Sequence, residues 1–410
     1  MYLGESIPFP AHPLQEKNMP AHISPEPFSE DIMEKARKMR ATVQLPACFD
    51  SPFFLARFLR AHGGDEEVAR QRVEEYLSHR QVLGYAGCSD MEIFTEFPIG
   101  KATYERFRIS LMNRSILSGD NHVFVQKMEG TDLKEIMKVI PLSYVLHSYY
   151  MLHDIFGRAV AETEKRIGRP SSVVTILDLK GMNVSDFLNP LSTHVQLARL
   201  VVKIWSEYFC ENMSKILIIN PPGIMSIMFK ISKFVMDART FNRLSFLDNV
   251  SDLHKYLEPH AIPVEYGGTW RDDSGYSKPP EGCTRPHVPV TSDQYRGADD
   301  VWSDHGIIKI PPSKTFNIKS HQSCEIVRKC TQPGRLIWNF TISGDVEFEI
   351  VRREAGKEIK VWPKITLTSL KLPDYGSVTV IPGEYVLRFT NPSSTWFAVK
   401  VTGAAEIKAE

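Results

Sequence analysis

Three short β-branched runs constrain the fold of this chain more than anything else in it: "HVFVQKM" at 122–128, "VVTILDL" at 173–179 and "KILIIN" at 215–220. Each is nearly continuous in apolar residues instead of alternating, the pattern of a strand buried on both faces. Long helical stretches lie between them, residues 191–210 among them, and give the chain room to cross over and return parallel. The pattern predicts an α/β domain with a mainly parallel sheet between about residues 100 and 270.

The texture changes on either side. The first 27 residues are rich in proline and polar residues and predict no packed structure. From Ser29, "SEDIMEKARKMRATV" has a capping serine, acids in the first turn and bases later, which reads as a helix. In "SPFFLARFLRAHGGDEEVARQRVEEYLSHRQVLG", residues Phe54, Phe58, Leu59, Val68, Val73, Tyr76 and Leu77 fall near helical spacing, interrupted at Gly63-Gly64. Residues 271–300 are polar and contain four prolines, as a linker or extended strap would. After them the helical pattern stops. "RLIWNFTISG" puts Leu336, Trp338, Phe340 and Ile342 on one face, and "VEFEIVRR" does the same with Val346, Phe348 and Ile350. The predicted class is α+β and multidomain: a flexible segment over 1–28, a helical lobe over 29–97, the α/β domain over 98–272, a linker over 273–300 and a jelly-roll-like β-sandwich over 301–405.

Lys plus Arg and Asp plus Glu both number 49, so no global field draws the chain to nucleic acid. No run of about 18 apolar residues is long enough to span a bilayer. The start lacks a basic stretch followed by an apolar run, so no signal peptide is expected and the six cysteines, with no CxxC pair, read as reduced thiols. The expected location is the cytoplasm.

Chemistry-bearing motifs are missing. "FPIGKAT" ends like a phosphate-binding loop but has Thr95 where the first glycine belongs. No GxGxxG follows a strand and no GxSxG elbow occurs. His147 and His153 are six apart, on different sides of a helix, and read as core or surface histidines instead of metal ligands. Asp178, at the end of its strand, has no partner base nearby and reads as a turn cap. No enzyme activity, metal or cofactor is expected. The unusual feature is "PPGIMSIMFKISKFVMDART": from Ile224 to Met236 nine of thirteen residues are apolar, spread around most of a helix. Such a helix is buried on several sides or touches something greasy outside its own core, and its two lysines favour a lid beside a membrane.

Together these segments resemble the CRAL-TRIO lipid-binding family followed by a GOLD domain. "FLARFLRAHGGDEEVARQRVEEYLSHR" is similar to its helical lobe, "AETEKRIGRPSSVVTILDLKGM" to its helix and central strand, "ENMSKILIINPPGIMSIMFKISKF" to its second strand and gate helix, and "IPVEYGGTW" to its terminal signature. The resemblance spans residues 50 to 403. It implies one hydrophobic ligand (phospholipid, tocopherol or isoprenoid-like) held under a gate helix and exchanged with membranes by a transiently membrane-associated carrier, with the lipid as ligand and no cofactor. An alternative is a lipid-sensing adaptor whose GOLD domain recruits a protein partner. The implied pocket residues are Val174, Ile176, Ile204, Tyr208 and Ile218; the gate would present Ile224, Ile227, Met228, Phe229, Ile231 and Phe234; Lys215 matches a basic headgroup position. Two positions depart from members that transfer phosphatidylinositol: Ser171 stands where they carry an acid, and Gly63 where they carry a base.

If the greasy helix is a lid, Phe229→Asp slows ligand exchange between vesicles, and unchanged exchange kinetics would remove that assignment.

Overall fold

A computed structural model describes residues 23–187, 189, 191–222, 241–393 and 397–409. Helix α1 (Glu30–Arg40) starts directly after Ser29, whose hydroxyl accepts from the Ile32 amide at 3.4 Å. Helices α2 (Phe54–Ala61) and α3 (Glu66–Val82) are separated where both glycines take left-handed backbone, Gly63 at φ 64° and Gly64 at φ 81°. Asp65 then caps α3 by accepting from the amides of Glu67 and Val68. Two short helices, α4 (Asp90–Thr95) and α5 (Pro98–Tyr104), lead into the sheet.

The sheet comprises β1 (Arg108–Ile109), β2 (Leu117–Ser118), β3 (Asn121–Lys127), β4 (Ser172–Asp178), β5 (Met213–Ile219) and β6 (Leu244–Phe246). Its order is β1-β3-β4-β5-β6, parallel from β3 to β6, with β1 and β2 antiparallel to β3. The crossovers carry α6 (Leu133–Ile136), α7 (Leu142–Ile167) and α8 (Thr193–Ile204). Helix α7, 26 residues long, is the backbone of the molecule. The Asp154 carboxylate in its middle accepts from the Tyr76 hydroxyl at 2.5 Å and from Arg80 at 2.8 Å, which fastens α3 to it. Near its end Glu164 pairs with Arg57 of α2 and accepts from Ser51.

Residues 271–300 form a strap along the α/β domain. Thr284 bridges Ser110 antiparallel, the Arg285 amide donates to the Ile109 carbonyl at 3.1 Å, and the Arg296 amide donates to the Lys138 carbonyl at 2.9 Å. The strap ends in α9 (Asp300–Asp304), which buries Trp302 against Ile337 and Ala404.

Eight strands follow: β7 (Lys314–Ile318), β8 (Ser323–Cys330), β9 (Gly334–Ile342), β10 (Val346–Glu354), β11 (Lys357–Leu367), β12 (Asp374–Val380), β13 (Gly383–Thr390) and β14 (Val399–Ala409). They make two antiparallel sheets, β7-β14-β9-β12 and β8-β13-β10-β11, the strand order of an eight-stranded jelly roll. Between them pack Leu336, Trp338, Phe340, Phe348, Phe389 and Val401, with the alternation read from the sequence. Gly376 faces Trp338 so closely that a Cβ there would lie 2.4 Å from the indole.

The sandwich docks on the helices. Trp362 meets His147 of α7 edge-on at 5.1 Å, within a buried cluster that runs from the lobe to the sandwich. Asp374 accepts from the Ser143 amide at 3.0 Å and thereby caps the N-terminus of α7, whose own N-cap residue, Pro141, offers no side-chain bond. Burial pushes the Asp374 carboxyl up to about 7, against the opposing effect of the Ser143 bonds. A carboxyl with a raised folded-state pKa contributes stability that is complete below its unfolded value and is lost as pH climbs through the folded one. Wild type therefore loses roughly 2 kcal/mol between pH 5 and 8 relative to Asp374→Asn, which keeps the acceptor without the charge. Urea unfolding of both proteins at the two pH values checks this.

Candidate functional site: an apolar cavity and a basic recess

Strand parity divides the sheet into two unlike faces. Val123, Val125, Val174, Ile176, Leu217 and Ile219 face one side, closed off by Leu253, Leu257, Ala261, Ile262, Tyr266 and Trp270 from the segment after β6. The opposite side packs on α7 near the strand starts, where Phe124 meets Phe156 at 4.9 Å. Toward the strand ends this face opens into a cavity of about 350 Å³.

The cavity floor is Gln126, Leu177, Ile216, Ile218, Leu244 and Phe246. Helix α7 supplies Val145, Ser148, Tyr149 and Leu152, and α8 supplies His194, Leu197, Ala198, Val201 and Val202. These sets recur at three- and four-residue steps, one stripe of each helix. Phe107, Ile109, Met128, Leu133, Leu179, Met182 and Phe187 complete much of the lining. No Asp, Glu, Lys or Arg lines it among the described residues. Its polar atoms are few. Ser148 donates to the Ile99 carbonyl at 3.3 Å, while Thr103 Oγ1 and His194 Nδ1 are buried without a hydrogen-bond partner among the described residues. Burial holds the His194 pKa down, Asp186 opposing it, so the ring is neutral near pH 7.

The sequence-derived pocket residues separate on this geometry. Ile218 lies on the cavity floor. Val174 and Ile176 point to the opposite face and are packed in its dry core, a correction to the expected pocket floor. The reason is register: Thr175 pairs with Ile216 and Leu177 with Ile218, which leaves Val174 and Ile176 on the other side. Ile204 and Tyr208 are also elsewhere. They line a cleft of about 110 Å³ between α8 and the sandwich, with the Tyr208 hydroxyl donating to Glu75 at 2.7 Å, because their positions fall on the far side of α8 and the turn after it. The gate residues Ile224, Ile227, Met228, Phe229, Ile231 and Phe234 lie outside the described residues. The α7 and α8 residues of the wall were missed, although the 194, 197, 198, 201 and 202 spacing carries the signal.

Lys215 belongs to a second recess of about 440 Å³, lined by Arg57, Arg60, Arg243, Ser171, Ser172, Ser214 and the segment 23–28. Three of its four cations have carboxylate partners: Arg57 on Glu164, and Arg60 and Arg243 on Glu211. Lys215 has no ion-pair partner among the described residues. Burial first, and Arg243 second, lower its pKa. Ser171 donates from its hydroxyl to the Asp120 carbonyl at 2.6 Å, and its amide donates to Glu164 at 3.0 Å.

Asp178 is saturated. It accepts from the Tyr266 hydroxyl at 2.7 Å, the Lys180 amide at 3.0 Å and the Asn220 side chain at 2.9 Å, tying the strand end to β5 and to the "VEYGG" turn. His147 and His153 are core residues: His147 Nδ1 lies 3.0 Å from His79 Nε2, and His153 stacks on Phe209 at 4.8 Å. Burial lowers both to about 3. No group of three metal-ligating side chains occurs among the described residues.

Residues 122–268, which contain the cavity floor and both helical walls, match the family model of the CRAL/TRIO domain. This part of the chain is similar to a CRAL-TRIO domain. A CRAL-TRIO domain-containing protein of Caenorhabditis elegans is 27% identical over 395 residues, 92% of this chain and 96% of that protein. The SEC14 cytosolic factor of Eremothecium gossypii is 25% identical over 243 residues, covering 58% of this chain and 76% of its own length. The solved structure of Sfh5 aligns with 64% of this chain and 89% of its own at 14% identity and a TM-score of 0.42. The CRAL-TRIO match ends at residue 268, before the strap and the sandwich.

The two faces of the sheet respond differently to truncation. Ile176→Ala costs about 3–5 kcal/mol, as at a site with no room to collapse, whereas Ile218→Ala, beside existing open space, costs about 1–2 kcal/mol. Equilibrium urea unfolding of the two variants checks the order.

Proposed function

We propose that this protein is a non-enzymatic carrier that binds one lipid in its CRAL-TRIO cavity and exchanges it with membranes. The observation behind this reading is the lining itself: about 350 Å³ walled by apolar side chains, with no ionised group among the described lining residues. Such a site suits the hydrocarbon body of a lipid and is hostile to a charged headgroup, which would keep its charge outside or in the basic recess. The Thr103 hydroxyl and His194 Nδ1, without a hydrogen-bond partner among the described residues, would serve a ligand's neutral polar atom. The relatives named SEC14 cytosolic factor favour a cytosolic carrier.

The energetics agree with a carrier. Each methylene removed from water is worth about 0.8 kcal/mol, so a lipid in the cavity escapes into water very slowly. Passage from bilayer to cavity moves it between two apolar phases at little net cost, and opening of the site then sets the rate. No reaction is assigned, since the strand-end carboxylate of Asp178 is committed to three donors.

In the finer part of the reading, the jelly roll is a GOLD-like module that adds a protein contact. Val327 and Ile359 stay exposed on β8 and β11, the two edge strands of one of its sheets, which favours an adaptor as the second reading.

Solvent extraction of the protein purified from cells, with mass spectrometry of the extract, tests the carrier reading. One dominant lipid near one per chain is expected. Val201→Trp, which fills the cavity from α8, lowers the bound lipid about tenfold while leaving the fold intact by circular dichroism. An empty extract, repeated after incubation with membranes, removes the carrier and puts recruitment of a protein partner first.

A further inference from the structure

Helix α8 has two occupied faces. One presents Leu197, Ala198, Val201 and Val202 to the cavity. The other is held by the sandwich. Arg199 makes a two-pronged ion pair with Asp345, in the β9–β10 turn, at 2.6 and 2.8 Å. One helical turn further, the Lys203 ammonium donates to the Thr366 hydroxyl of β11 at 3.1 Å. Helix α7 repeats the arrangement: Tyr149 and Leu152 face the cavity, while Ser143 and His147 meet Asp374 and Trp362 of the sandwich. The sandwich thus backs both helical walls of the cavity, and none of its described residues lines it.

At its C-terminal end α8 runs into a π-turn, Trp205–Phe209, and then into the floor strand β5. The wider i→i+5 turn is a weak point in a helix, where rotation costs less than within regular α-structure. A wall that can pivot, with cavity on one side and sandwich on the other, transmits a change of packing from either side to the other.

Building on the carrier reading, we propose that the β-sandwich is a brace whose docking is thermodynamically coupled to cavity occupancy through α8 and α7. A filled cavity presses the helices onto the sandwich, and a docked sandwich keeps the helices closed over the ligand. The coupling is reciprocal, as linkage requires. The Arg199–Asp345 pair is the place to cut it, because Arg199 points away from the lining and the pair lies at the rim of the contact, with side chains 39% and 28% exposed.

The test is release of pyrene-labelled phosphatidylcholine from the loaded full-length protein to excess unlabelled phosphatidylcholine vesicles. Arg199→Asp, which sets two carboxylates against each other, is expected to speed release about five- to tenfold. The exchanged pair, Arg199→Asp with Asp345→Arg, is expected to restore the wild-type rate. Hydrogen exchange of the unmutated protein supplies an independent readout: loading protects β10, β11 and the strap 271–300, none of which lines the cavity. Release from Arg199→Asp at the wild-type rate, failure of the exchanged pair to restore it, or loading without added protection each overturns the brace. A wild-type protein that never takes up the probe, and whose purified form carries no lipid, removes the carrier reading itself and the coupling with it.

Discussion

A buried carboxylate in the middle of the longest helix carries the architecture. Asp154 is surrounded by the Tyr76 hydroxyl and the guanidinium groups of Arg80 and Arg158. A lone charge at this depth would be untenable, and its removal would leave Arg80 buried without a carboxylate, at a cost of about 3–5 kcal/mol, while Arg158 would keep Asp90. The same logic repeats along α7: Asp374 of the sandwich sits at its beginning, Asp154 with the lobe at its middle and Glu164 with Arg57 near its end. Two helices of the lobe and the sandwich therefore take their positions from one rod. The cavity exists because that rod and α8 stand beside the sheet, in contact with it at the strand starts and apart from it at the strand ends.

The cavity and the basic recess lie on unlike parts of the molecule for a geometric reason. Ser171, Ser172, Ser214 and Lys215, at the starts of β4 and β5, line the recess, whereas Leu177, Ile216 and Ile218, further along the same strands, line the cavity. Greasy and charged surfaces are thereby adjacent in sequence and separated along the strands. Low dielectric is preserved toward the strand ends, and charge is tolerated at the strand starts.

Much of this was legible in the sequence. The runs at 122, 173 and 215 became β3, β4 and β5 because β-branched residues in short apolar stretches have few other options. The Gly63-Gly64 break and the Ser29 cap were readable from backbone chemistry alone. The face of β4 was not. Val173, Val174, Thr175, Ile176 and Leu177 are all buried or nearly so, so period-two contrast is lost where the pocket had to be assigned. Ile204 and Tyr208 were misplaced for a different reason: a helix covered on two sides has two apolar stripes, and only the neighbours decide which one faces a cavity. The long-range polar partners were also hidden, since Arg57 and Glu164 lie 107 residues apart and Ser143 and Asp374 lie 231 apart. No local pattern encodes such partners.

The strap has a consequence for life at high protein concentration. An open sheet ends in strands with unpaired amides and carbonyls, and these invite a second molecule to add its own strand. Here the short β1 edge is answered by Thr284 and Arg285, which take up Ser110 and the Ile109 carbonyl. At the other margin β6 is three residues long. The strap, a segment that looks in sequence like mere connection, thus denies neighbouring molecules a template for aggregation at the β1 margin, and the brevity of β6 does so at the other.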